Sequence, residues 1–218
     1  MSEGTLYGEG QSWFARLLER REERRPDLAA RELRRRLLSG LTGRVVEIGC
    51  GEGRAFELYP EQVEHVLAVE PDPTARAAAR ERAASAPVRV EVVEGYAERI
   101  PAADGAFDAA VCVWVLCSVP DPAAALAEVR RVLAPGGVLA AYEHVGSRRA
   151  AFRAVQRSLD ALFWTRSLGG CRTTRDTEAA VRAAGFEFET IERGFQSSSL
   201  LTITAAPYIL GVARKIGV

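Results

Sequence analysis

VVEIGCGEGR, Val45 to Arg54, is an apolar run that breaks into glycines at alternate positions, Gly49, Gly51 and Gly53. Glycine lets the chain turn sharply and brings bare backbone close to a ligand, because no Cβ stands in the way. An apolar strand feeding such a turn is the opening of a parallel sheet. Its ligands sit outside the carboxyl ends of the strands, where the strand order reverses.

Outward from this turn the chain alternates. RVVEIG predicts the first strand and GEGRAFELYP a helix. HVLAVE predicts the second strand, followed by an alanine-rich helix begun by Asp72 and Pro73. VRVEVVEG and FDAAVCVWVL supply strands three and four, the latter apolar enough to be buried on both faces. DPAAALAEVRRVLAPGG reads as a helix stopped by Pro135 and paired glycines, and GVLAAYEHV as the fifth strand. Beyond it, RAAFRAVQRSLDALFWTRSL predicts an inserted amphipathic helix, with Phe152, Val155, Leu159, Leu162 and Phe163 at helical spacing. A further helix ends at Gly185, and FEFETIERG and TITAAPYILGVARKI close the sheet. Ahead of the turn, Gln11 to Ser39 predicts two helices broken near Pro26, the first with Trp13, Phe14, Leu17 and Leu18 on one face.

This pattern predicts an α/β, Rossmann-like fold: a mostly parallel seven-stranded sheet with helices on both faces and a helical lid. One domain is expected over residues 1–218. It comprises a helical cap (1–42), a cofactor-binding core (43–145), a lid insertion (146–175) and a closing helix with strands (176–218).

Composition fits a globular chain: 218 residues, 48% hydrophobic, 27% charged, formal net charge zero. That balance argues against a nucleic-acid binder, which carries a basic excess. Cys50, Cys112, Cys117 and Cys171 lack C-x-x-C spacing, so reduced thiols in a cytoplasmic protein, and no metal, are expected. No apolar run reaches the roughly 18 residues of a membrane span. The arginines of the first helices are interleaved with glutamates, which favours a solvated face over a membrane-surface one.

The turn departs from the dinucleotide pattern G-x-G-x-x-G, because Arg54 stands where the third glycine belongs. Glu47 and Glu52 flank it, an unfavourable setting for a pyrophosphate. A ligand with an amino group and a sulfonium cation is favoured by those carboxylates, and S-adenosylmethionine is such a ligand. Glu70, at the end of the second strand and about twenty residues past the turn, suits both ribose hydroxyls. Pro71 follows it. Tyr96 and Ala97, after the third strand, are the candidates for the adenine edge, with a structural tyrosine the competing reading of Tyr96.

VVEIGCGEG, VEPDP, AERIPAADGAFDAAVC and RVLAPGGVLA together resemble the motif series of the class I S-adenosylmethionine-dependent methyltransferases. The resemblance covers most of the chain after about Gly43. WVLCSVPDP, EVRRVLAPGGVLAAYEHV, GGCRTTRDT and PYILGVARK are similar, more narrowly, to the thiol S-methyltransferases. The animal members of that family are membrane-anchored and methylate small alkyl thiols or sulfide. This resemblance implies S-adenosylmethionine as cofactor and a small-molecule thiol as acceptor.

His144, beside Glu143 at the end of the fifth strand, is the candidate catalytic base, with a structural loop histidine the competing reading. Glu143 orients it or offsets the sulfonium charge. Glu47, Gly49, Cys50, Gly51, Gly53, Glu70, Pro71, Tyr96, Ala97 and Trp114 are the expected cofactor contacts. Leu116, Cys117, Phe152 and Cys171 are the expected acceptor pocket. His65 starts the second strand at the opposite end of the sheet and reads as structural. Methylation of oxygen, nitrogen or carbon on a lipid, quinone or natural product stays open, as does cofactor binding without catalysis.

Overall fold

The computed structural model describes residues 28–161, 170–197 and 200–217. The helix expected around Trp13 to Leu18 lies outside them, as do Leu162 and Phe163 of the expected lid helix.

Helix α1 (Leu28–Leu38) leads into β1 (Gly43–Ile48) and β2 (Val63–Val69), then α2 (Pro73–Ala83), β3 (Arg89–Val93) and β4 (Phe107–Val113). Then follow α3 (Pro122–Val132), β5 (Leu133–His144), α4 (Ala150–Leu159), α5 (Thr177–Ala183), β6 (Phe186–Phe195) and β7 (Pro207–Lys215). The sheet order is β3-β2-β1-β4-β5-β7-β6. The first five strands pair in parallel, and β7 runs antiparallel to both β5 and β6. Strand order therefore reverses between β1 and β4, and the two turns that leave those strands face each other.

Strand periodicity divides the core in two. Val46, Ile48, Ala110, Cys112, Leu139 and Ala141 face α3 and α5. Val45, Val66, Ala109, Val111, Ala140 and Tyr142 face the side covered by Leu33, Leu37 and Leu38 of α1. Helix starts follow the sequence: Asp72 accepts from the Ala75 N–H and Asp121 from those of Ala123 and Ala124, each with proline next. Side-chain oxygens there satisfy donors that the first turn leaves unpaired.

Four expectations are corrected. Gly51 to Pro60 forms no α-helix but turns and a short 3-10 segment, Phe56–Leu58. Gly51 and Gly53 take positive φ, 55° and 77°, and Pro60 ends the segment. The few residues between are too short to repay helix nucleation. β4 stops at Val113 rather than Leu116, because Trp114 adopts φ 60°. β5 starts at Leu133, so Pro135 and its glycines lie inside the strand rather than ending the helix. The stretch before β7 is a 3-10 helix, Leu200–Ala205, and pairing begins only at Pro207.

Candidate active site

The glycine turn after β1 is packed at its ends and bare in the middle. A Cβ on Gly49 would come 2.9 Å from Val115 Cγ2, and one on Gly53 would come 2.4 Å from the Phe56 ring. One on Gly51 would meet nothing within 4 Å, so the central backbone faces open space. Glu70, buried at the end of β2, turns its carboxylate to this turn. Oε2 accepts from the Gly51 N–H at 2.8 Å and Oε1 from the Asp72 N–H at 2.9 Å. Each oxygen keeps a second lone pair, so a cis-diol fits there. Pro71 lies between, its carbonyl accepting from the Arg76 guanidinium.

Glu47 points to the α1 face from inside β1 and is almost fully buried. The Tyr59 hydroxyl donates to it at 2.7 Å. Burial pushes the Glu47 carboxyl up to about 7, against the opposing Tyr59 bond and the charge of Arg34. Cys50 is buried beside it, and its thiol is pushed up by burial and by the same carboxylates.

A stability prediction follows with a definite sign. The folded Glu47 holds its proton above the ordinary carboxylate value of 4.5, up to about 7. Its stabilisation is complete below that ordinary value and is lost as pH rises through the folded one. At roughly 1.4 kcal/mol per unit, the loss is about 3 kcal/mol. Glu47→Gln keeps an acceptor for Tyr59 and removes the titration. Urea unfolding at pH 5 and pH 8 is expected to show a smaller decline for the variant than for the parent. Equal declines would refute the assignment.

The third and fourth edges complete the rim. Gly95 is pinned, since a Cβ there would lie 2.7 Å from Val69 Cγ1. Tyr96 follows half-buried, bridged to Arg99, and Ala97 is buried in the core. Trp114 holds a backbone conformation that non-glycine residues rarely adopt. Its N–H donates to the Tyr142 carbonyl at 2.8 Å. Its ring stacks on His144 (centroids 5.2 Å, 12°) and tilts against Tyr142. The Trp114 Nε1 is buried with no hydrogen-bond partner among the described residues. Such an orphan donor suits a polar acceptor supplied by a bound ligand.

Arg34 of α1 lies over the Trp114 ring, 4.6 Å from its centroid. This residue was missed among the arginines of RELRRRLL. The available signal was its spacing: it stands four residues from both Ala30 and Leu38, beside the buried stripe.

A family model described as a methyltransferase domain matches residues 46–141. Thiol S-methyltransferase TMT1B of Homo sapiens is 34% identical over 183 residues, covering 82% of this chain and 74% of that protein. The chain belongs to the class I S-adenosylmethionine-dependent methyltransferases. A solved S-adenosylmethionine-dependent methyltransferase from Thermotoga maritima superposes on this methyltransferase with a TM-score of 0.66 at 27% identity, covering 93% of this chain and 98% of that one. One from Methanosarcina mazei gives 0.65 at 21% identity, with 79% and 92% covered. The seven-stranded order with its single antiparallel strand is the fold they share.

Of the catalytic and acceptor-pocket residues expected from the sequence, three have other work. Glu143 is fully buried, and both its oxygens are taken by backbone. Oε1 accepts from the N–H groups of Val115 and Leu116, each at 2.9 Å, and Oε2 from that of Cys117 at 3.1 Å. It holds the turn after β4 and is a positioning residue there. Leu116 points into the core with Leu126 and Val119. Phe152 packs its ring on Phe195, centroids 6.0 Å apart. The stripe on α4 is not what seats that helix, for Val155 is exposed. The buried residue is Gln156, whose Nε2 donates to the carbonyls of Val145, Thr173 and Thr204 while Oε1 accepts from the Ser147 N–H.

The structure brings His144, Cys117 and Cys171 together. Nδ1 of His144 lies 3.7 Å from both sulfurs. His65 sits at the opposite end of the sheet beside Glu91, in line with its structural reading. Among the described residues, no helix is long and apolar enough to cross a membrane.

Proposed function

We propose that this methyltransferase methylates a small-molecule thiol, using S-adenosylmethionine. The observation that carries the reading is the sulfur- and imidazole-lined end of β4 and β5, where Cys117, Cys171 and His144 gather beside Trp114. The human relative bears the name thiol S-methyltransferase, which agrees with it.

When bound, S-adenosylmethionine supplies a methyl group already activated by a sulfonium leaving group. The chain's own residues bind and orient. Glu70 holds the ribose hydroxyls with its remaining lone pairs, and the bare backbone at Gly51 admits the cofactor without steric conflict. Gly49, Gly53 and Cys50 shape that turn, and Pro71 fixes the chain beyond Glu70. Glu47 lies where a cationic group stabilises its ionised form, so cofactor binding near neutral pH releases a proton from it. Tyr96 and Ala97 border the adenine, and Trp114 closes the cofactor site from the β4 side.

Alignment of donor and acceptor is worth up to about 7–11 kcal/mol in favourable cases. A thiol near pKa 8.5 is a few per cent thiolate at neutral pH, so it needs little further activation. His144, locked by the Trp114 stack, orients the acceptor. Its Nδ1 lies 3.7 Å from both sulfurs, so the ring lines the same end of the site as the two cysteines.

The test is S-adenosylhomocysteine release across matched thiols and their alcohol analogues. Turnover is expected on the thiols alone, and turnover on alcohols alone would overturn the assignment. His144→Ala is expected to lower kcat with the best thiol by roughly 10–100-fold, below the usual general-base range because the thiol is partly self-activated. An unchanged kcat would remove His144 from the reaction.

A further inference from the structure

Cys117, His144 and Cys171 form a closed triangle: Sγ to Sγ is 3.7 Å, and each sulfur lies 3.7 Å from the imidazole Nδ1. Zinc binds thiolate at about 2.3 Å and imidazole nitrogen at about 2.0–2.1 Å. Tetrahedral ligands at those lengths stand about 3.8 Å apart for sulfur pairs and about 3.6 Å for sulfur and nitrogen. The three edges of the triangle therefore match those of a zinc tetrahedron to about 0.1 Å. The geometry points to a Cys2His site for a single zinc-like cation at the acceptor edge of the sheet.

The surroundings are built to hold these three side chains together. The segment carrying Cys171 is tied to the turn carrying Cys117 by two bonds. The Arg172 N–H donates to the Cys117 carbonyl at 2.8 Å, and the Arg175 guanidinium to the Leu116 carbonyl at 2.6 Å. Gly170 permits this approach, since a Cβ there would lie 2.8 Å from the Ser118 carbonyl oxygen. Asp160 holds the same segment from behind through the N–H and hydroxyl groups of Thr173 and Thr174. Glu143 fixes the Cys117 turn from below. Supporting bonds of this kind orient the ligands of known metal sites.

Charge and protons balance. Two thiol protons leave to solvent, two metal–sulfur bonds and one metal–nitrogen bond form, and nothing is oxidised or reduced. The divalent charge cancels the two thiolates, so the cation and its three ligands are neutral together, which suits the two buried sulfurs. Three protein ligands are the number found in zinc sites that keep a position for substrate. Placing the acceptor thiol in that fourth position rests on the thiol-methylation reading; the cation site does not.

The experiment uses the full chain, stripped of metal and kept under a non-chelating reductant, titrated with Co2+ and no thiol substrate. One equivalent is expected, with thiolate-to-cobalt charge-transfer absorption and the intense visible bands of a tetrahedral ion, displaced by one equivalent of Zn2+. Cys117→Ser and Cys171→Ser are each expected to weaken binding by more than the 10–100-fold typical of outer-shell changes. Cys112→Ser, in β4 and outside the triangle, is expected to bind as the parent does. Absence of uptake with all four cysteines titrating as free thiols overturns the site, as does a spectrum unaltered in both ligand variants. The parent titration decides the matter even if a variant fails to fold. A methyl thiol added to the cobalt form then tests the fourth position. Shifted visible bands support it, and unshifted bands overturn it while leaving the cation site and the alcohol-versus-thiol comparison standing on their own results.

Discussion

Glu143→Ala is expected to lower the unfolding free energy by at least about 3 kcal/mol. The substitution leaves the N–H groups of Val115, Leu116 and Cys117 without their acceptor in a fully buried place. Each orphaned buried donor costs about 1–3 kcal/mol, and a cavity adds to that. The strained Trp114 lies immediately before these residues, and such a conformation persists only where its surroundings over-determine it. Glu143→Gln keeps one carbonyl oxygen for Val115 and Leu116 but presents an amide N–H to that of Cys117. An intermediate loss is expected. Urea unfolding midpoints for parent, Gln and Ala variants check the order. A Glu143→Ala protein within about 1 kcal/mol of the parent would show that the turn finds other acceptors.

Glu70→Ala is expected to weaken S-adenosylmethionine binding by roughly 100-fold or more, measured by calorimetry on the folded protein. The carboxylate accepts from the Gly51 and Asp72 amides, and in the proposed function its other two lone pairs serve the ribose. Hydrogen bonds to a charged group contribute about 1.5–3 kcal/mol each, so losing two gives about 3 kcal/mol or more, two decades in Kd. Burial raises the Glu70 carboxyl, and the two backbone bonds oppose that rise. Glu70→Gln, which keeps one acceptor oxygen, is expected to fall between parent and alanine. A Kd within about threefold of the parent would remove Glu70 from the cofactor site.

The frame of the protein is local information. Strand alternation, the glycine turn and the Asp-Pro helix starts at 72–73 and 121–122 each state a period, a face or a cap within a few residues. They specified the parallel strands, the place of the turn and Glu70 at its strand end. Local pattern failed where neighbouring requirements conflict. Gly51 to Pro60 has helix-forming residues between its glycines and proline, yet both glycines are needed at positive φ. The APGG after α3 looks like a stop, yet it lies within β5. Nor did the adjacency of Glu143 and His144 show that they face opposite sides of the sheet. Period-two alternation sends Glu143 under the β4 turn and His144 to the Trp114 face.

What the sequence by itself determined is the sheet, its direction of travel and the edge at which the candidate site lies, because those follow from short-range periodicity. Only the tertiary structure decided which side chains meet there. Cys117, His144 and Cys171 are separated by 27 residues at each step, so no spacing rule joins them. They converge because adjacent β4 and β5 end at one edge and Gly170 lets a later segment pack against the first turn. Arg34 reaches Trp114 only because α1 packs across strands that follow it in the chain. Strand order and loop closure are properties of the whole chain, and they set distances that no window of the sequence contains.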